Sequence, residues 1–222
     1  MVTAIIVAGG KSERMGGKVD KNFLSLVNKP VVAWSLLAFE RCPAVDWIVL
    51  VVRKEQLAAS QAVARMFGIS KLRRIVAGGK TRGESVQAGL RVCDVDTTCV
   101  VVHDAARPMV SSEVIAEVVK ASKRSVAATV GRPVTDTLKQ CAKGTMVSAT
   151  VPRTKIWRVQ TPQAFAIKDL KDAYAALGDA EVTDDCEAVE RNGVAVKIVE
   201  SFRPNPKITV PEDLQLVSAL LK

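Results

Sequence analysis

Ala8-Gly9-Gly10 follows a short apolar run, Val2 to Val7, and two cations come after it at fixed spacing, Arg14 and Lys21. Lacking a Cβ, a glycine pair can take left-handed backbone and bring its N–H donors close to phosphate oxygens, while Arg14 and Lys21 add the full charge that backbone dipoles lack. Such a device suits holding a polyphosphate and stabilising its reaction. It is not one of the commoner glycine loops. A P-loop has a further glycine upstream of its Gly-Lys-Ser/Thr ending, which Gly10-Lys11-Ser12 lacks, and Gly9-Gly10 with Gly16-Gly17 does not keep the dinucleotide spacing Gly-x-Gly-x-x-Gly. Taken alone, the loop also reads as a plain tight turn after an edge strand.

Three further stretches carry candidate chemistry. Gly78-Gly79-Lys80-Thr81-Arg82-Gly83-Glu84-Ser85 follows an apolar run and opens a helical pattern, so its N–H groups and the Ser85 hydroxyl could meet a ligand at the positive end of a helix dipole. The alternative is that Ser85 sits in an ordinary first turn. His103-Asp104-Ala105-Ala106-Arg107-Pro108 ends another apolar run: Asp104 could bind Mg²⁺ or a sugar hydroxyl and Arg107 could grip a phosphate, or the two could merely pair with each other. His103 is the only histidine, and without a Gly-x-Ser-x-Gly elbow a Ser-His-Asp hydrolase is a poor reading, which leaves His103 structural. Thr137, Arg153 and Thr161 could hold a polyol phosphate, although threonines are also plain strand formers, and Lys207 near the end could face a cleft.

The elements that must position these residues are legible from periodicity. Val2 to Val7, Trp47 to Val52, Leu72 to Val76 and Cys99 to His103 are short and mostly β-branched. Pro30 to Phe39, Glu55 to Phe67, Arg82 to Val92 and Ser111 to Ser122 carry apolar residues at helical spacing. The alternation predicts an α/β fold with a mainly parallel sheet, helices on both faces and ligands at the carboxyl ends of the strands. From Arg132 to Pro162 the pattern breaks into short extended pieces, Asp136 to Cys141 and Met146 to Val151, around Lys143-Gly144, which predicts a projecting hairpin arm of the kind that meets a partner subunit. Helices at Lys168 to Leu177 and Asp184 to Arg191, a strand at Val194 to Val199 and a closing helix from Pro211 complete the chain, with no linker composition between them.

Composition narrows the partners. A formal net charge of +9 suits nucleic acid or small polyphosphates, but the chain has few aromatics and its cations are dispersed, which favours small anionic substrates over nucleic acid. The five cysteines form no Cys-x-x-Cys pair, which argues against a zinc site or a disulfide framework. No apolar stretch reaches membrane-spanning length and the first residues read as a strand, so a soluble cytoplasmic protein is expected.

Together these residues resemble the 2-C-methyl-D-erythritol 4-phosphate cytidylyltransferases of the non-mevalonate isoprenoid pathway, in order along essentially the whole chain. The resemblance is carried by Ala8-Gly9-Gly10 with Arg14-Met15 and Lys21, Gly78-Gly79 with Arg82 and Ser85-Val86, and His103-Asp104-Ala105-Ala106-Arg107-Pro108. Downstream it is carried by Asp136-Thr137, Arg153 with Trp157, Thr161-Pro162-Gln163, Thr183-Asp184, and Lys207 with Pro211-Glu212-Asp213-Leu214. It implies a single Rossmann-like nucleotidyltransferase domain over 1–222, with an arm at about 132–160 used for homodimerisation. The implied reaction moves CMP from CTP to the 4-phosphate of methylerythritol and releases pyrophosphate, with Mg²⁺ held mainly by the CTP phosphates and Asp104 as the one candidate protein ligand.

By the same resemblance Arg14, Lys21, Arg153 and Lys207 are the catalytic cations, and Ala8, Gly9, Gly10, Gly79, Ser85 and Asp104 join Arg14 and Lys21 in holding CTP. Asp104, Arg107, Thr137, Arg153, Thr161, Thr183 and Lys207 would place the second substrate, with Thr137 and Arg153 acting across the dimer. One departure stands beside Lys21: many relatives have proline before it and glutamine after it, whereas this chain has Asp20 and Asn22. Asp20 is expected to lower the effective charge of Lys21, and Asn22 to shorten a contact. The length is too short for the fused form that carries a second enzyme, implying one activity. Two other readings share some of these features: a ribitol 5-phosphate cytidylyltransferase, and a nonenzymatic nucleotide- or RNA-binding module.

Overall fold

In a computed structural model, which describes residues 1–10, 12, 15, 20–178 and 180–221, the apolar runs become strands and the amphipathic runs helices. The first half contains β1 (Val2–Ala8), a small hairpin of β2 (Ser25–Leu26) and β3 (Lys29–Pro30), α1 (Val31–Arg41), β4 (Trp47–Val52), α2 (Leu57–Met66), β5 (Leu72–Ala77), α3 (Arg82–Arg91), β6 (Cys99–Asp104) and α4 (Ser112–Ser125). The second half contains β7 (Ala127–Pro133), β8 (Leu138–Lys143), β9 (Met146–Val151), β10 (Trp157–Ala166), α5 (Ile167–Leu177), α6 (Asp185–Arg191), β11 (Val196–Glu200) and α7 (Pro211–Leu220). Among the described residues no helix is long and apolar enough to cross a membrane.

Seven strands form one sheet in the order β11-β7-β10-β6-β1-β4-β5. The pairs β6–β1, β1–β4, β4–β5 and β7–β11 are parallel, and β10 runs antiparallel to both its neighbours. Because successive strand side chains point to opposite faces, continuous apolar runs bury both sides of the sheet. Ala4, Ile6, Leu50, Val52 and Val101 pack with Val32, Leu36 and Phe39 of α1 and Ile115 and Val118 of α4. Their neighbours Ile5, Val49, Val51, Val100 and Val102 pack on the other face with Val86 and Leu90 of α3, Leu170 and Tyr174 of α5 and Val189 of α6. The Rossmann-like α/β architecture thus follows from uninterrupted β-branched runs flanked by helices that each bury one face.

Two strands of the main sheet were not expected. β7 and β10 stand inside the sheet, although Trp157–Ala166 contains Pro162, which ordinarily marks an edge or a bulge. The register between β10 and β7 shifts between Gln160 and Gln163, so the proline sits where the ladder is interrupted. The segment from 157 onward therefore belongs to the main sheet, and the separate hairpin is β8 with β9 alone. Residues 139–150 of that hairpin are all exposed. Its turn places Gly144 at φ +54°, a left-handed conformation that favours glycine.

Candidate functional site

The chain runs from β1 outward to β4 and β5, then returns to place β6 on the other side of β1. That reversal makes a crevice at the carboxyl ends of β1 and β6, the place where open α/β sheets bind ligands. Val7 and Ala8 line it at the end of β1 and Gly9 and Gly10 just beyond, Gly79, Lys80, Thr81, Arg82 and Ser85 after β5, and Asp104 at the end of β6. Lys21, Asn22, Ala106 and Lys207 complete the lining. Lys21 opens a tight turn, Lys21–Phe23. Its N–H donates to Ser12 Oγ at 3.2 Å and its Nζ donates to the Ile208 carbonyl at 2.8 Å, next to Lys207 in sequence.

The β5–α3 loop is knitted by Ser85. Its hydroxyl accepts the Gly79 N–H at 3.2 Å and donates to the Thr81 carbonyl at 3.0 Å, while Thr81 Oγ1 caps the helix by accepting the Glu84 N–H at 3.1 Å. The backbone passes so close that a Cβ on Gly78 would lie 2.6 Å from Ser85 Oγ. Ser85 therefore shapes the wall of the crevice through its own hydrogen bonds.

Asp104 anchors the cationic side. Arg82 Nε donates to its Oδ1 at 3.0 Å and Lys207 Nζ to its Oδ2 at 2.6 Å. Arg82 also reaches Asp185 Oδ2 at 2.7 Å, and the other oxygen of that fully buried carboxylate accepts the Tyr174 hydroxyl at 2.6 Å. Burial alone would push the Asp104 carboxyl up, but Arg82 and Lys207 hold it well below the usual carboxylate range. Burial would likewise draw the Arg82 guanidinium down, and the charges of Asp185 and Asp104 carry it above its ordinary value instead. Arg82 and Lys207, not Arg107, are thus the ion-pair partners of Asp104.

Arg107 makes its hydrogen bond elsewhere: its Nη1 donates to the Asn205 carbonyl at 2.8 Å, and burial draws its guanidinium below its ordinary value although the Asp104 charge opposes this. Its own carbonyl lies 3.1 Å from His103 Nε2, so that nitrogen carries the hydrogen. On the other side of the ring Nδ1 accepts the Thr161 hydroxyl at 3.0 Å, and Thr161 Oγ1 in turn accepts the Asp104 N–H at 3.1 Å. His103 is fully buried and burial pulls it down to about 4, which keeps the imidazole neutral. It braces the end of β6, and Thr161 works beside it under the crevice.

Three expected residues lie apart from this cluster in the single chain. Thr137 and Arg153 are exposed beside the hairpin, with the Arg153 guanidinium donating to the Thr135 carbonyl. Thr183 is exposed and donates both its N–H and its hydroxyl to Glu187 Oε2, at 2.7 and 2.8 Å. Arg14 lies outside the described residues. Asp104 was the one expected protein ligand for a metal, yet both its oxygens are taken by cations. No group of three or more Asp, Glu, His or Cys among the described residues could hold an ion, so they form no preformed metal cage.

Sequence reasoning passed over the roles of Arg82, Asp185 and Tyr174. The one local signal was an arginine in a helix's first turn, where the helix dipole disfavours a cation. The carboxylate of Asp20, expected to bear on Lys21, has a cation in Arg53 at 3.1 Å and accepts the Asn22 N–H at 3.0 Å.

A switch-point crevice that gathers Lys21, Lys207 and Arg82 beside a glycine loop suits a phosphorylated ligand, and the family match makes the chain an α/β nucleotidyltransferase. Residues 2–222 match the family of 2-C-methyl-D-erythritol 4-phosphate cytidylyltransferase (IspD), and the chain belongs to it. A relative of that name from Dehalococcoides mccartyi is 40% identical over 222 residues, covering 100% of this chain and 96% of its own. One from Alkaliphilus metalliredigens is 38% identical over 99% of this chain and 92% of its own. Among solved structures, the 4-diphosphocytidyl-2C-methyl-D-erythritol synthase of Anaerococcus prevotii superposes with a TM-score of 0.88 at 28% identity, covering 99% of this chain and 95% of that one. The 2-C-methyl-D-erythritol 4-phosphate cytidylyltransferase of Thermus thermophilus gives 0.81 at 30% identity, covering 98% and 97%.

Proposed function

We propose that this protein transfers CMP from CTP to 2-C-methyl-D-erythritol 4-phosphate, giving 4-diphosphocytidyl-2-C-methyl-D-erythritol and pyrophosphate for isoprenoid precursor synthesis in the cytoplasm. The observation that carries this reading, beside the family match, is the convergence of Lys21, Arg82 and Lys207 on one crevice. A phosphate nucleophile is already ionised at neutral pH and needs no general base, which agrees with a crevice rich in cations whose nearest histidine is buried and neutral. The obstacle is repulsion between two anions. Two unit charges about 4 Å apart repel by about 4 kcal/mol at an effective dielectric constant of about 20, and one fixed cation at a like distance offsets a comparable amount. Positioning and charge neutralisation therefore supply the rate.

In this reading Ala8, Gly9, Gly10, Gly79 and Ser85 hold the triphosphate of CTP, and Arg14 and Lys21 stabilise the α-phosphate under attack. Asp104 and Lys207 place the second substrate with Arg107, Thr161 and Thr183. Magnesium enters with the CTP phosphates. The exposed hairpin joins two copies, and Thr137 and Arg153 then act in the neighbouring subunit's site. The test is pyrophosphate release from CTP with methylerythritol 4-phosphate and, side by side, with ribitol 5-phosphate. Turnover with the former is expected; turnover only with ribitol 5-phosphate overturns the substrate, and salt-sensitive RNA binding without any turnover overturns the activity.

A further inference from the structure

Lys21 stands between two residues that are tied down by buried polar contacts reaching the ends of two neighbouring strands. Asp20 is 3% exposed, and its Oδ1 accepts both the N–H and the Nδ2 of Asn22, at 3.0 and 3.2 Å. Asn22 Nδ2 also donates to the carbonyl of Ala8, the last residue of β1, at 3.1 Å. The remaining oxygen, Asp20 Oδ2, accepts Arg53 Nε at 3.1 Å. Arg53 directly follows β4, whose final residue Val52 is the register partner of Ala8. One end of the Lys21 turn is thus fastened to β1 through Asn22 and the other to β4 through Arg53.

We propose that Arg53 is a positioning residue for Lys21, acting through the Asp20 carboxylate. It does two things at once. It fixes Asp20, which caps the turn that begins at Lys21, and it gives that buried carboxylate a countercharge next in line to a cation on which the chemistry depends. Without Arg53, a carboxylate whose side chain is 1% exposed loses its ion pair, and the turn that begins at Lys21 loses its tie to β4. The geometry also explains how this chain tolerates an acid beside Lys21. Asp20 and Arg53 act as a matched pair, 33 residues apart in sequence.

This role rests on the cytidylyl-transfer reading, and its test is steady-state kinetics with CTP and methylerythritol 4-phosphate, alongside thermal melting, for wild type, Arg53→Met, Arg53→Lys and Asp20→Asn/Arg53→Met. Arg53→Met is expected to lower kcat about tenfold while KM for CTP stays within about twofold, because alignment of Lys21 matters most in the transition state. Arg53→Lys should retain an intermediate kcat. The double variant, which removes both charges, should regain several-fold of the lost kcat, a non-additivity that simple loss of stability would not produce. Should Arg53→Met fail to fold, Arg53→Lys carries the test through the same split between kcat and KM. Wild-type kcat in the folded variants, or a double variant no better than Arg53→Met, overturns the role of Arg53 while leaving the activity in place. Wild-type protein that releases no pyrophosphate from this substrate pair overturns the activity and the role with it.

Discussion

Replacing Arg82 by methionine tests the electrostatic frame of the crevice. Arg82 bridges Asp185, which has no exposure, and Asp104, whose side chain is 11% exposed; the guanidinium side chain is itself 25% exposed. Breaking a buried ion pair by removing one partner costs about 3–5 kcal/mol, because a charge is left buried without its counterion. Asp104 keeps Lys207 and Asp185 keeps the Tyr174 hydroxyl, so the lower end of that range, about 3 kcal/mol, is expected. In a chain of this size that lowers the melting midpoint by about 6–12 °C. Adding Asp185→Asn should restore part of the loss, since the amide oxygen can still accept from Tyr174 without carrying charge. The sign of the pH dependence also follows. Asp104 is held below its ordinary 3.8 despite burial, chiefly by Arg82 and Lys207, so the stability this confers is present above that pH and is lost as pH falls below it. The gap between wild type and Arg82→Met should therefore narrow in acid. Thermal melting and urea unfolding at neutral and acid pH measure these quantities; Arg82→Met within about 1 kcal/mol of wild type at neutral pH, with no effect of pH on the difference, would refute the reasoning.

His103 is the only histidine in the chain, so its ring resonances in NMR are unambiguous. Burial pulls it from 6.5 to about 4, and the ring should stay neutral down to about pH 5. By linkage this group adds stability above pH 6.5 that is lost as pH falls through about 4, a total of about 3 kcal/mol; a titration midpoint near 6.5 in the folded protein would contradict the buried hydrogen-bonded ring. Gly78→Ala would bring a Cβ to 2.6 Å from Ser85 Oγ and to 3.3 Å from Val51 Cγ1. It should cost about 1–3 kcal/mol and raise KM for CTP by displacing the β5–α3 loop. Unchanged stability and KM would show that the close approach is not needed.

The parts of this fold that were legible in sequence are those where one physical requirement dominates. β1, β4 and β6 are buried on both faces, so Ile5 and Ile6, Val49 to Val52 and Val100 to Val102 read as unbroken apolar runs. β7 and β10 escaped because polar residues interrupt their apolar pattern and find their partners on the backbone or on a distant element. Thr129 Oγ1 donates to the Gln160 carbonyl at 3.0 Å, Gln163 Nε2 donates to Asp184 Oδ2 at 2.7 Å, and Pro162 falls where the ladder is broken. Periodicity alone does not reveal such partners in advance. The crevice shows the same division. Its glycine turns and the Asp104 strand end are local signals, whereas Arg82 meets Asp185 across 103 residues and Lys207 meets Asp104 across 103. Long-range charge pairing of this kind is decided by topology.

The role proposed for Lys21, a fixed cation that stabilises charge at the phosphorus under attack, is read out by single-turnover release of pyrophosphate from CTP and methylerythritol 4-phosphate. Wild type should react, and Lys21→Ala should bind CTP and keep its fold while the chemical step slows by about a hundredfold or more, equivalent to about 3 kcal/mol of lost transition-state stabilisation. A near-normal single-turnover rate in folded Lys21→Ala would contradict it.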